Sequence, residues 1–237
     1  MTTEFQGFPK IARLFRDVVI TEKIDGTNAC VVVPEDGLEP VLAQSRTRFV
    51  TPVNDNYGFA AWVRDHEREL RDLGPGRHFG EWYGQGINRN YGLKERRFAL
   101  FNTCRWDQEV WQHFEDEKQT RGNYQPQTWM APPACCEVVP ALNWGPFGIC
   151  MINQALDDLR STGSFAVEGF DTPEGIVVYH TASNTPFKVT LGGDGEKGLA
   201  VHANLDPLLA GWAGRVIVVD NTDTTHQYLL EDCAKPE

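Results

Sequence analysis

The sequence predicts an α+β domain. Short apolar runs punctuated by turn residues read as strands, and two amphipathic stretches read as helices. The two kinds are mixed without the regular strand–helix alternation of a parallel sheet, so the strands are expected to be mainly antiparallel. The 237 residues suit one large domain over 1–237, and no repeat, low-complexity tail or linker divides them.

Residues 18–24 and 29–33 read as strands, with Asp25-Gly26-Thr27-Asn28 as a turn between them. A further strand is expected over 41–43, ending near Ser45-Arg46-Thr47-Arg48. Residues 57–70 predict a helix: Phe59, Trp62, Val63 and Leu70 share an apolar stripe, and Arg64, Asp65, Glu67 and Arg68 cover the rest. Leu73-Gly74-Pro75-Gly76 stops it. Residues 77–83 predict a strand that runs into the loop Gly84-Gln85-Gly86, and 98–101 a short buried strand. Residues 115–133 are polar and then proline-rich, which predicts a surface excursion. Residues 151–159 predict a helix with Met151, Ile152, Ala155, Leu156 and Leu159 on one side. Strands are expected at 176–179, 187–191 and 216–219, and a flexible loop at 192–198.

Composition excludes several classes. Hydrophobic residues make up 41%, with seven Trp and thirteen Phe, which is core material a disordered chain lacks. No apolar run approaches the roughly 20 residues that span a bilayer, and the N-terminus lacks the features of a signal peptide. The six cysteines show no zinc-like spacing, with or without the histidines His66, His113, His180, His202 and His226. They read as reduced thiols of a cytoplasmic protein; on a strand, adjacent Cys135 and Cys136 would face opposite ways. A net charge of -11 argues against indiscriminate coating of nucleic acid. It leaves room for local basic groups: Arg46 with Arg48, and Arg89 with Lys94, Arg96 and Arg97. Trp106, Trp111, Trp129, Trp144 and Trp212 read as packing residues, and His78 as a structural histidine.

Lys23 stands at the end of an apolar run, between Glu22 and Asp25. A lysine is ordinarily an exposed ammonium; to attack an electrophile it must shed a proton, which partial burial or a nearby cation favours. Taken alone this is a plain strand-turn-strand. Four later segments change the reading: Gln44 to Arg48, His78 to Gly84, Phe98 to Asn102, and Pro173 to Val178 with Phe187 to Thr190. Together they supply a lysine nucleophile, cations for phosphate, carboxylates for a ribose or a metal, and an aromatic for a base.

In this order the segments resemble the covalent nucleotidyltransferase superfamily, and within it the ATP-dependent RNA ligase family typified by phage T4 RNA ligase 2 and the RNA-editing ligases. The resemblance covers about residues 20–191. It implies a nucleotidyltransferase (ATP-grasp-like) fold of packed, mainly antiparallel sheets with flanking helices. Lys23-Ile24-Asp25-Gly26 matches the nucleophile motif, which implies adenylation of Lys23 and nucleotide contacts for Glu22 and Ile24. Ser45-Arg46-Thr47 implies a phosphate or sugar contact for Arg46, with Arg46, Arg48 and Asn28 toward nucleic acid. Phe79-Gly80-Glu81 implies that Glu81 holds the ribose. Of the two aromatics in the next motif, Phe101 is preferred over Phe98 for stacking on adenine. Glu174-Gly175-Ile176-Val177 implies that Glu174 orients Mg2+ or Mn2+, with Asp25 as helper or turn cap, and Lys188 meets the α-phosphate. Glu168-Gly169 is a rival for the Glu174 motif, but lacks the following apolar strand.

The implied activity joins a 3′-hydroxyl to a 5′-phosphate RNA end through lysyl-AMP and RNA-adenylate, for RNA repair in a bacterial or phage setting. The sequence departs from the pattern where Thr190 and Tyr179 stand in place of lysines and Asn102 in place of an aspartate. The phosphate grip is then expected to be weaker, or supplied by another cation such as Lys94 or Lys197. Residues 191–237 leave no room for an OB domain or a large RNA-binding domain. This predicts either a minimal ligase or one aided in trans by an accessory RNA-binding protein or domain. The alternatives are a DNA ligase, a capping guanylyltransferase, or a catalytically impaired protein that binds nucleic-acid ends.

Overall fold

The computed structural model describes residues 11–120 and 124–192, together with the backbone of residues 215–218 and 226–229. Contacts divide the chain into two units, Met1–Leu191 and Gly192–Glu237. Along the first unit run β1 (Asp17–Lys23), β2 (Thr27–Val33), β3 (Leu42–Ser45), β4 (Phe49–Val50), α1 (Phe59–Asp65), α2 (Glu67–Leu70), β5 (Gly76–Gly84) and β6 (Arg96–Leu100). Then follow α3 (Thr103–Trp106), α4 (Gln108–Gln119), β7 (Glu137–Val138), β8 (Ala141–Pro146), α5 (Ile149–Thr162), β9 (Gly175–His180) and β10 (Thr185–Thr190).

Two sheets organise this unit. One has the order β10-β9-β1-β8 and is antiparallel throughout. The other has the order β4-β3-β2-β5-β6-β7 and is antiparallel except for its edge pair β6–β7. The α+β expectation therefore holds. The expected turn at Asp25-Gly26-Thr27-Asn28 does not fold β1 back on β2: the two strands belong to different sheets, and the segment carries the chain from one to the other. Ile24 anchors that crossing in a core with Tyr83, Tyr91, Ala99 and Val139.

Each sheet buries one face under helices. Ala29, Val31, Val33, Ala43, Trp82, Phe98 and Leu100 pack against Phe59, Val63 and Leu70 of α1 and α2. Asp55 opens this helical stretch by accepting the N–H groups of Ala60 and Ala61 at 2.7 and 3.0 Å. The single helix expected over 57–70 breaks at His66, whose φ of -110° interrupts the spiral between α1 and α2. Val18, Ile20, Ile176 and Val178 of the smaller sheet pack against Ala155, Leu156 and Leu159 of α5, the stripe that its spacing predicts.

Part of the excursion expected over 115–133 is instead α4, capped by Asp107, whose carboxylate accepts from Glu109 N–H and Val110 N–H, each at 3.0 Å. Only Val110 and Glu115 are buried on α4, so no apolar period announces it. Residues 124–133 have no regular structure. Cys135 and Cys136 lie in a turn rather than a strand, so their sulfurs sit on one side, 3.9 Å apart. Trp106 is core, as expected. In the second unit β11 (Arg215–Val218) pairs antiparallel with β12 (His226–Leu229). Lys197, Trp212, Cys233 and most of the loop expected at 192–198 lie outside the described residues. Among the described residues no helix is long and apolar enough to cross a membrane.

Candidate active site

Alternation along β1 sets the site. Val18 and Ile20 face α5, so Thr21 and Lys23 take the opposite face. Lys23 ends the strand directly across from Gly175 of β9. Gly175 has φ 153°, and a Cβ there would stand 2.1 Å from the carbonyl oxygen of Val189, so only glycine lets the strands close. The residue before it, Glu174, forms an ion pair with Lys23 through Oε2. Both side chains are mostly shielded, 23% and 18% exposed. The sequence-predicted pair is thus brought together from positions far apart in the chain. The rival Glu168 is exposed in a turn and makes no ion pair among the described residues.

Glu81 approaches from the larger sheet. It lies opposite Asn28 in the β2–β5 ladder, and its Oε2 accepts from Asn28 Nδ2 at 3.1 Å. Its Oε1 accepts the N–H of Gly26 at 3.1 Å, so the turn beside the lysine is fastened to the carboxylate. Burial pushes the Glu81 carboxyl up to about 7; the Lys23 charge and these two hydrogen bonds pull the other way, and Glu174 pushes it further up. Lys23, Glu81 and Glu174 therefore share one electrostatic environment at the junction of the two sheets.

Several expected site residues are placed otherwise. Glu22 faces away from Lys23: its buried carboxylate accepts Ser164 Oγ at 2.6 Å and the N–H groups of Phe165 and Ala166 at 2.7 and 2.9 Å. Burial raises its carboxyl while those donors lower it. Ile24 is core. Neither side chain is open to a nucleotide, which leaves both as supports of the nucleophile strand. Asp25 gives both oxygens to the loop that follows β5, accepting from Asn88 Nδ2 at 2.9 Å and Arg89 Nε at 3.0 Å. Its N–H donates to Tyr91 Oη at 2.7 Å. This makes Asp25 an anchor of the turn. Asn28 donates to Glu81 while its side of β2 stays exposed.

The two aromatics differ in exposure. Phe98 is fully buried between Phe59 and Trp62. Phe101, just beyond β6, is 41% exposed, and its N–H donates to the Phe79 carbonyl at 3.0 Å. Lys188 stands in β10 opposite Val177, on the same face of the sheet as Lys23 and exposed. Thr190 stands opposite Gly175, in register with Lys23. Tyr179 donates to Asn184 Oδ1 in the β9–β10 turn. His78 is structural, bonded to the Gly74 carbonyl at 2.8 Å.

Arg46 and Arg48 line an open cavity of about 450 Å³ with Gln44, Thr47, Phe49, Arg77 and Phe79. Arg77 bonds Gln44 Oε1 and lies over the Phe49 ring at 5.8 Å. Sequence reasoning missed Arg77 and Phe49. The period of two was the available signal, since Arg77, Phe79 and Glu81 occupy one face of β5. The arginines of the other basic group are spent internally, while Lys94 is exposed: Arg89 binds Asp25 and the Thr172 carbonyl, Arg96 the Gln85 carbonyl, and Arg97 both Glu95 and Glu137.

The family described as RNA ligase matches residues 16–190, most of the chain and all of the site described above. The chain belongs to the RNA ligase family. No curated protein matches it. Solved structures of an RNA ligase from Naegleria gruberi are similar to it at 18% identity, covering 75% of this chain and 50% of that one. A variant with ATP and Mn has a TM-score of 0.46, and a variant with AMP and Mn 0.47. This RNA ligase family chain therefore spans about half the length of those structures.

Proposed function

We propose that this protein is an ATP-dependent RNA ligase whose nucleophile is Lys23. The observation that carries the reading is the convergence of Lys23, Glu174 and Glu81, from two sheets, on one junction within a chain of the RNA ligase family. A binding module has no need to shield an amine there.

The Lys23 amine attacks the α-phosphorus of ATP, forming a phosphorus–nitrogen bond and releasing pyrophosphate. Attack needs the nitrogen lone pair, so the Lys23 ammonium gives up a proton to Glu174 or water and the ion pair is broken as the nucleotide enters. Orientation of the amine is provided by the paired end of β1, which cannot swing. Glu81 accepts ribose hydroxyl bonds, Phe101 offers a ring to the base, and Lys188 lies on the face where the phosphates would run. A divalent cation, Mg2+ or Mn2+, held by Glu174 would supply neutralisation of phosphate charge. The adenylyl group then passes to a 5′-phosphate of RNA, and a 3′-hydroxyl displaces AMP. Arg46, Arg48 and Arg77 around the cavity suit the phosphates of the entering strand, and Phe79 and Phe49 suit its bases.

Incubation with α-labelled ATP or GTP plus magnesium, followed by 5′-phosphorylated RNA, tests this. Label on wild-type protein from ATP, its absence in Lys23→Ala, and its passage to RNA are expected. Labelling from GTP alone would point to capping chemistry. Nucleotide binding without any adduct would leave an end-binding protein.

A further inference from the structure

His113 and Glu117 lie four residues apart on α4 and so share one face of the helix. A ring nitrogen of His113, a carboxylate oxygen of Glu117 and one of Asp17, the first residue of β1, all lie within 4.8 Å of one another. Two further facts set this group apart from an ordinary acidic surface. The Nε2 of His113 is shut away from solvent and has no hydrogen-bond partner among the described residues. A buried ring nitrogen in that condition is costly unless something satisfies it. The carboxylates of Asp17 and Glu117 likewise make no hydrogen bond or ion pair there, although their neighbours do. Glu115 accepts from Tyr124 Oη at 2.8 Å and Gln127 N–H at 2.9 Å, and Asp116 accepts from Gln112 Nε2 at 2.7 Å. The main chain at Asp17 is fixed as well, since its carbonyl accepts Thr181 Oγ1 at 2.6 Å and Thr181 N–H at 3.0 Å.

We propose that Asp17, a ring nitrogen of His113 and Glu117 form a divalent-metal site of zinc type, separate from the nucleotide site. One imidazole and two carboxylates make a dianionic N/O set, which suits zinc and leaves a fourth position for water. The site would tie α4, which follows the larger sheet, to the start of β1, the strand that carries Lys23 at its other end. At about 3.3 Å per residue, Asp17 and Lys23 stand roughly 20 Å apart along that strand. The two metal requirements are thus separable, and this proposal does not rest on the ligase chemistry.

The test uses the full-length, tag-free protein stripped with a chelator and titrated with zinc chloride without nucleotide. Binding is read against a chromophoric zinc indicator, and thermal unfolding is followed in parallel. One equivalent of zinc and a higher unfolding midpoint are expected for the wild type and for Lys23→Ala and Glu174→Gln. His113→Gln and, independently, Asp17→Asn should each weaken binding by about tenfold or more, since even outer partners of a metal ligand are worth about 10–100-fold. Circular dichroism of the zinc-free variants that matches the zinc-free wild type rules out misfolding as the cause. Zinc affinity unchanged in both variants, no bound zinc in the wild type, or zinc lost from Glu174→Gln instead would overturn the proposal.

Discussion

The Nζ of Lys23 and the Oε2 of Glu174 form an ion pair across the β1–β9 ladder, at the end of the small sheet nearest Glu81. Both groups are mostly shielded, so the cost of desolvating them offsets most of their attraction and the pair's net contribution to folding is small. Its value is positional: the carboxylate fixes where the amine's positive charge is held. Glu174→Gln should therefore leave the unfolding midpoint nearly unchanged. It should slow formation of the protein–AMP adduct by about 100-fold or more, as loss of a transition-state charge partner does. Rapid-quench labelling across a manganese series measures this; an undiminished rate would remove Glu174 from the chemistry.

Glu81 makes stability depend on pH. Its carboxyl is raised from 4.5 to about 7 in the folded protein, chiefly by burial. The folded state then binds the proton more tightly than the unfolded state. The contribution is fully present below about pH 4.5 and is lost as pH rises through about 7, roughly 3 kcal/mol in all. Glu22 is raised too, so the informative quantity is the difference between wild type and Glu81→Gln. Urea unfolding at intervals from pH 5 to 8 should show a flatter profile for the variant. In ATP titrations the same variant should need more nucleotide for half-maximal labelling.

Phe98 and Phe101 should separate folding from nucleotide use. Phe98→Ala removes a fully buried ring from the core under α1 and should cost about 3–5 kcal/mol. Phe101→Ala trims a ring that is already 41% exposed and should cost stability little. It should weaken ATP by about 1–3 kcal/mol if the ring stacks on the base. Denaturant curves and ATP titrations on both variants check the pair.

Gly26 should not tolerate a methyl group. A Cβ there would meet the Trp82 carbonyl oxygen at 2.5 Å and Tyr83 Cβ at 2.7 Å, neither of which is a flexible tip. Gly26→Ala should destabilise by about 1–3 kcal/mol. It should also disturb the bond from the Gly26 N–H to Glu81, lowering adduct formation even at temperatures where the variant is folded. Labelling at a temperature well below its unfolding midpoint tests the second effect.

The positions of the candidate site residues were legible before the structure because their motifs are local. Lys23, Glu174 and Phe101 each sit at the end of a strand and Glu81 lies within β5, and such strands can be read from short patterns. The roles of Glu22, Ile24 and Asp25 were not legible. Their partners are Ser164, Tyr83 and Arg89, and no local pattern announces which donor a buried carboxylate will find. Helix α4 was missed for a related reason: it buries so little that it leaves no periodic trace, and its cap at Asp107 was the one signal to read.

The linear chain by itself determined the elements and their chemical inventory, because period, capping and turn chemistry act over a few neighbouring residues. Only the tertiary structure decided that residues 25–26 cross between two sheets instead of closing a hairpin. Strand pairing is a competition among distant partners, won here by β9 and β8 for β1 and by β3 and β5 for β2. That outcome brings the amine and the two carboxylates together at the junction of the two sheets.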